Sequence, residues 1–169
     1  MDLYECIRVR YSVRAYQDKD IPDEVLRRIL EAARLAPSAS NRQDWKFIIV
    51  KDPELKQQVA QAARHQMFIA QAPVIIAGVS LNPDRLMSCE VPAYAVDLGI
   101  AMEHIALAAV AEGLGTCWIG DFSQNRVKEL LKVPEEYKVV ELMPLGYPAD
   151  KPRVKVRKSL EEIISYDKF

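Results

Sequence analysis

The sequence predicts a single domain, residues 1–169, in which helices sandwich a β-sheet, an α+β or α/β architecture. Three observations support this prediction. The chain has 169 residues and half of them are apolar, which suits one globular domain with a sizeable core. Residues 74–81 (VIIAGVSL) are almost continuously apolar, as expected of a strand buried on both faces. Segments with a helical spacing of apolar residues alternate with short β-rich runs.

Two helices are predicted before the first strand. Residues 3–9 form a short one. Residues 22–36 form a longer one, because apolar residues recur there three and four positions apart: Val25, Leu26, Ile29, Leu30 and Ala33. Pro22 is tolerated at a helix start, and the acidic residues after it favour the positive N-terminal end. Residues 37–44 (PSASNRQD) then have the composition of a loop.

Strands and helices alternate through the rest of the chain. Residues 45–50 (WKFIIV) are β-rich, and a helix opens at Pro53 with Asp52 as its N-cap. Residues 92–112 predict a long helix that is apolar almost all round, so the core or a partner subunit must cover it. The remaining predictions are strands at 116–119 and at 138–145, ending at Gly146, and helices at 123–131 and 159–165.

Charge and cysteine content exclude several classes of protein. Lys and Arg total 23 against 24 for Asp and Glu, so a general nucleic-acid binder is not expected and any anion site must be local. Three scattered cysteines predict neither a disulfide framework nor a zinc ribbon, and fit a reducing compartment. The N-terminus lacks the apolar region of a secretory signal, and charged residues interrupt the long apolar helix. We therefore expect a cytoplasmic protein without a membrane partner.

The common catalytic motifs are absent. There are two histidines, and no GxSxG, HExxH or Walker A motif. Residues 113–118 (GLGTCW) contain GxG, but they follow a helix and enter a strand, the reverse of the dinucleotide-binding order. His104 is interpreted as a hydrogen-bonded core or interface residue, and Cys117 as a small buried strand residue. The spacing of His65, Cys89 and Glu90 supports no metal site.

Two basic clusters stand out in this nearly neutral chain. Arg10, Ser12 and Arg14 place two guanidinium groups and a hydroxyl within five residues, and a second cluster lies near the C-terminus at Arg153, Lys155, Arg157 and Lys158. Solvated surface charge is one interpretation of each cluster. The other is that both converge on one phosphate, for which arginine offers a bidentate fork.

Five segments, in order, resemble the FMN-dependent nitroreductase family. Residues 10–16 (RYSVRAY) resemble its R-R-S-x-R-x-F motif, and residues 37–47 (PSASNRQDWKF) resemble P-S-x-x-N-x-Q-P-W-x-F. Residues 72–74 (APV), 113–120 (GLGTCWIG) and 145–148 (LGYP) resemble a strand start, a glycine-rich strand entry and a closing motif. The resemblance covers nearly the whole chain.

This resemblance implies a fold, an assembly and a cofactor. The fold would be a three-layer α/β/α sandwich of the α+β class with a mixed, mainly antiparallel sheet. The chain would form a homodimer with FMN at the subunit interface, reduced by NAD(P)H. Position by position, the residues implied to bind FMN are Arg10, Tyr11, Ser12, Arg14, Asn41, Gln66, Ile119, Gly120 and Arg157, with Pro37, Ser38 and Ala39 reaching it from the other subunit.

The implied reaction is ping-pong. NAD(P)H delivers hydride to flavin N5, and a nitroaromatic or quinone then takes the electrons, so no side chain is expected to be the catalytic acid. Two departures from the motifs are Tyr11, where the family has a second arginine, and Asp44, where it has proline. The alternatives are a flavin-binding or storage module without turnover, a related flavin activity such as reductive dehalogenation, and an interaction protein without a cofactor.

Overall fold

The structure, a computed structural model that describes residues 1–169, is built on one four-stranded sheet. Its strands are β1 (Trp45–Val50), β2 (Val74–Ser80), β3 (Gly115–Thr116) and β4 (Lys138–Gly146), in the spatial order β1-β2-β4-β3. All three pairs of neighbouring strands are antiparallel. Every residue of β2 is buried, which confirms the prediction of a strand covered on both faces.

The chain has six helices: α1 (Leu3–Val9), α2 (Asp23–Arg34), α3 (Pro53–Ala62), α4 (Phe68–Gln71), α5 (Ala93–Ala111) and α6 (Gln124–Leu131). One apolar core lies between the sheet and α2 with α5. A second core lies between the other face and α3, α4 and α6. The architecture is therefore the predicted three-layer α+β sandwich. The predicted N-cap at Asp52 is also confirmed, since its carboxylate accepts a hydrogen bond from the Leu55 N–H at 2.7 Å.

The structure corrects two predicted elements. Residues 159–165 form no helix, and a turn replaces it. These residues are exposed, and a short helix without a packing partner is marginal in water. The strand predicted at 116–119 ends at Thr116, after which Ile119 makes an isolated pair with Leu142. Two short elements were not predicted, α4 and a single 3₁₀ turn at Ala39–Asn41.

Helix α5 has the length and mean hydropathy, 1.4, that would suffice for a membrane span. Its polar residues nevertheless have partners within the protein. The Asp97 carboxylate accepts from the Ala39 N–H, Glu103 accepts from the Trp118 indole N–H at 3.2 Å, and His104 Nδ1 lies 3.1 Å from the Ala32 carbonyl oxygen. These contacts indicate that α5 is a helix of the folded core. His104 is hydrogen-bonded there, as predicted from the sequence.

Backbone hydrogen bonds carry the N-terminal segment along the edge of the sheet. The Val13 N–H donates to the Thr116 carbonyl at 2.9 Å, in a parallel bridge beside β3. Further along, Gln17 N–H donates to the Tyr147 carbonyl and Ala149 N–H donates to the Ala15 carbonyl, at 2.9 and 2.8 Å. Residues 12–17 therefore lie between β3 and the chain that leaves β4. This arrangement brings the two basic clusters of the sequence to one place.

Candidate functional site

The two basic clusters line one cavity of about 220 Å³. Its lining includes five of the twelve residues that the family resemblance implies: Arg10, Tyr11, Ser12, Arg14 and Arg157. It also includes Asp150, Lys151, Arg153 and Lys155 from the segment that follows β4. The clusters are about 140 positions apart in the sequence, and the backbone pairing of residues 15–17 with the chain that leaves β4 brings them together.

Asp150 fixes the N-terminal wall of this cavity. Its carboxylate accepts hydrogen bonds from the Arg14 backbone N–H at 2.9 Å and from the Tyr11 hydroxyl at 3.1 Å. Burial and the contact with Asp150 raise the pKa of Tyr11 to about 12. Tyr11, which stands where the family motif has arginine, therefore acts as a neutral hydroxyl donor at physiological pH. Asp150 belongs to no motif, and its only local signal is that it is the single acid of a basic segment.

The cavity is strongly positive. Six lysine and arginine residues line it against the single carboxylate of Asp150. The pKa of Lys155 is lowered, first by burial and then by the charges of Arg10 and Arg157. Arg10 Nε also lies 3.6 Å from Glu103 Oε1 on α5, which holds its guanidinium in place. A pocket of this size and charge suits a phosphate group.

Ile119, Gly120 and Gln66 form a second group, at the exit from the sheet edge. Ile119 is buried and pairs with Leu142 through two backbone hydrogen bonds. A Cβ placed on Gly120 would meet no atom of this chain within 4 Å. The Gln66 amide donates to the carbonyl oxygens of Ala63 and Asp121, at 3.0 and 3.2 Å. Gln66 is thereby held beside the backbone at Gly120.

Cys117 lies directly before this exit and is buried. The tertiary structure brings Arg14 and Arg10 close to its thiol, which the local sequence does not reveal. Their charges lower the thiol pKa, but burial has the larger effect, so the net pKa of Cys117 is raised. A reactive thiol requires the opposite shift. The interpretation of Cys117 as a structural residue therefore fits its surroundings.

Pro37, Ser38, Ala39 and Asn41 lie apart from the cavity, in the loop between α2 and β1, and none of them lines it. The loop is anchored to α5 through the Ala39 N–H, which donates to Asp97 at 2.9 Å. The negative charge of Asp44 is balanced by Arg85, whose Nη1 lies 3.9 Å from the Asp44 carboxylate. Within one chain the site residues therefore form three groups: the cavity, the exit from the sheet edge and this loop.

One buried acid lies on the α5 side of the sheet. Glu141 of β4 is 4% exposed, and its Oε1 has no hydrogen-bond partner in the chain. Within the sheet it is the partner of Gly78 on the neighbouring strand β2. Because glycine has no side chain, space remains there beside Leu98 and Met102. Burial, and secondarily the charge of Glu103, raise the pKa of Glu141 to about 9. The sequence marks this residue only as a charge in an apolar strand.

An α/β/α sandwich with a positive cavity beside its edge strand defines a class of protein that can hold a phosphorylated ligand. Comparison with known proteins makes this specific. The family model described as the nitroreductase family matches residues 7–82 and 64–147. The chain belongs to the nitroreductase family, as its motifs indicated.

Individual relatives span most of the chain. A nitroreductase family protein of Clostridium novyi NT has a similar structure, with a TM-score of 0.84 and 38% identity over 89% of this chain and 87% of that one. The NADPH:FMN oxidoreductase of Vibrio harveyi, solved with NAD⁺, has a TM-score of 0.90 and 30% identity over 99% and 77%. The FMN reductase [NAD(P)H] of Bacillus subtilis is 32% identical over 90% of this chain and 68% of its own.

Proposed function

We propose that residues 1–169 form one FMN-binding domain of an NAD(P)H-dependent flavin oxidoreductase. The acceptors that we propose are nitroaromatic compounds or quinones, reduced in a ping-pong reaction. The observation that carries the proposal is the convergence of Arg10, Ser12, Arg14 and Arg157 on one phosphate-sized cavity. Membership of the nitroreductase family and the flavin reductases among its relatives support the same activity.

The chemistry of the donor groups fits FMN. The cavity supplies guanidinium and hydroxyl donors, which suit a phosphate monoester and the hydroxyls of a ribityl chain. When bound, FMN supplies the two-electron redox chemistry of its ring, and the protein supplies position and electrostatics. Ile119 and Gly120 would lie against the ring, since the space beside Gly120 is open in this chain. Gln66 would present its amide oxygen, because its N–H groups are already bonded.

The chain's own residues position the reactants and do not include an acid–base pair at this site. The Arg10 guanidinium lies 3.6 Å from Glu103, and Arg14 Nη1 donates to the Ser12 carbonyl oxygen at 3.2 Å, so both guanidinium groups have partners within the chain that restrict them before a phosphate binds. The raised thiol pKa of Cys117 leaves it protonated and unreactive. We therefore infer that turnover requires no cysteine or histidine.

We also propose a homodimer in which Pro37, Ser38, Ala39 and Asn41 of one subunit contact the FMN of the other. Two observations support it. The loop and the basic cavity are separate in one chain. In addition, α1, one side of α5 and the C-terminal segment leave large apolar side chains exposed: Leu3, Tyr4, Ile7, Val96, Val154, Val156, Leu160 and Ile163. A second copy of the chain would cover them.

The proposed surroundings are cytoplasmic. Cys6, Cys89 and Cys117 are all free thiols, as a reducing compartment would keep them. The proposed partners are small-molecule electron donors and acceptors, without nucleic acid or membrane.

Replacing both Arg10 and Arg14 with alanine is expected to empty the FMN site. Each arginine would make charge-assisted bonds to phosphate, so we expect the Kd for FMN to rise at least ~100-fold. Fluorescence quenching on titration of FMN into the flavin-free protein measures this constant. Arg126→Ala is the matched control, because Arg126 lies on α6 and pairs only with Glu129. Wild-type FMN occupancy in the double variant would show that the phosphate lies elsewhere.

The homodimer predicts a particle of twice the chain mass of 19.2 kDa in light scattering. Ile7→Glu should yield monomers that have lost FMN, because it places a charge on the exposed apolar side of α1. Gln57→Glu adds the same charge on α3, in the opposite outer layer, and should leave the dimer intact. A stable wild-type monomer that retains FMN would contradict the shared site.

A further inference from the structure

Two charged side chains hold the backbone of Ala39 from opposite sides. Its N–H donates to Asp97 Oδ1 at 2.9 Å, and its carbonyl oxygen accepts from Arg85 Nη1 at 3.3 Å. Asp97 lies on α5, whereas Arg85 lies in the segment between β2 and α5. Neither residue belongs to a motif that the sequence analysis singled out, and neither lines the basic cavity.

The loop needs this support because its backbone is strained. Ser40, Asn41 and Gln43 have φ values of 56°, 51° and 57°, in the left-handed region that residues with a Cβ seldom adopt. Such conformations persist where surrounding contacts impose them. Within the loop, the Gln43 N–H donates to Ser38 Oγ at 3.0 Å. The hydrogen bonds that residues 37–43 make with side chains outside the loop are those of Ala39 with Asp97 and Arg85.

The burial of Asp97 indicates that its contact with the loop is specific. The residue is 5% exposed on a helix that is otherwise almost entirely apolar. A buried carboxylate is costly unless it accepts hydrogen bonds, and the Ala39 N–H is its donor here. An alanine or leucine would satisfy the packing of α5 at this position at lower cost.

Arg85 is held across the loop by Asp44. Its guanidinium lies 3.9 Å from the Asp44 carboxylate, which also accepts from the Asn82 side chain at 3.5 Å. Asp44 replaces the proline of the family motif, so this chain has a carboxylate that can draw Arg85 towards Ala39. Asp44, which departs from the family motif, thereby has a structural role in this chain.

We propose that Asp97 and Arg85 are positioning residues that clamp Ala39 and orient residues 37–41 towards the FMN of the neighbouring subunit. This inference rests on the proposed function. The clamp holds the loop in its binding conformation before FMN arrives, so that binding does not have to order it. Its loss weakens FMN binding and changes the environment of the flavin ring.

The experiment compares Asp97→Ala, Asp97→Asn and Arg85→Ala in the full chain. Hydrogen exchange of residues 37–43 in the flavin-free protein reports whether the loop is held. We expect faster exchange in Asp97→Ala, an FMN Kd raised about tenfold, and a shifted absorption spectrum and midpoint potential of the bound flavin. Asp97→Asn keeps an acceptor oxygen for the Ala39 N–H and should restore all three properties.

Arg85→Ala tests the same clamp if Asp97→Ala does not fold, because Arg85 is only half-buried. Glu112→Ala is the control, since it removes a carboxylate from the far end of α5, where its partner is Arg28. If wild-type protein binds FMN and the clamp variants loosen the loop without changing FMN affinity or spectrum, the clamp is merely structural and the inference is wrong. Failure of the wild-type protein to bind FMN would instead contradict the proposed function.

Discussion

Glu141→Gln is expected to remove a pH-dependent loss of stability that reaches about 3 kcal/mol at pH 7. Glu141 is buried, its Oε1 is unpaired, and its pKa is raised from 4.5 to about 9. The folded chain therefore keeps a proton that the unfolded chain releases above pH 4.5. Each pH unit between 4.5 and 9 lowers the free energy of unfolding by about 1.4 kcal/mol. Glutamine is always neutral and removes this loss.

The pH dependence distinguishes this explanation from a general effect of charge. Urea unfolding at pH 5, 7 and 8.5, at one protein concentration, should show a growing advantage of Glu141→Gln over the wild type. Glu136→Gln removes a carboxylate at an exposed position and should not reproduce that trend. Parallel pH profiles for Glu141→Gln and the wild type would refute the buried proton.

Gly146→Ala is expected to destabilise the protein by at least ~3 kcal/mol. A Cβ at this position would lie 2.6 Å from Pro73 Cδ and 3.0 Å from Tyr16 Cδ1. The Pro73 ring is rigid. Tyr16 is buried, and its hydroxyl donates to backbone carbonyl groups, so it cannot retreat easily. The glycine of the L-G-Y-P motif is therefore required by close packing.

Thermal unfolding measures this effect, with an expected decrease in Tm of about 10 °C for a chain of this size. Gly120→Ala is the matched control, because its added Cβ meets nothing within 4 Å and should leave the Tm of the flavin-free protein unchanged. If Gly146→Ala unfolded within 1 °C of the wild type, residues 16 and 73 would have to move more freely than their packing suggests.

Local patterns were sufficient for most of the secondary structure. The predicted bounds of α1 and β1 match the structure, those of α5 differ by one residue at each end, and those of α6 differ by one residue at its start. These elements carry their own signals, such as alternation, helical periodicity and caps. The helix predicted at 159–165 is absent from the structure. Its sequence favours a helix, but no other segment packs against it to stabilise one.

The candidate site was predictable as far as its motifs reach. The arginines of residues 10–14, the loop at 37–41 and Arg157 all came from sequence, and the first group and Arg157 share a cavity in the structure. The sequence patterns did not point to four further residues: Asp150, Asp97, Arg85 and Glu141. Each of these acts through a contact with a segment that is distant along the chain, or through burial by one, and no local spacing records such a contact.

Short-range periodicity, composition and ordered motifs thus predicted the family, the layers and the basic residues of the candidate site. The tertiary contacts established what those residues can do. Arg14 meets Asp150 across 136 positions, and Ala39 meets Asp97 across 58. The pKa values of Tyr11, Cys117 and Glu141 depend on burial by several elements at once. Local patterns reflect the preferences of neighbouring residues, whereas desolvation and charge pairing arise only when distant segments pack together.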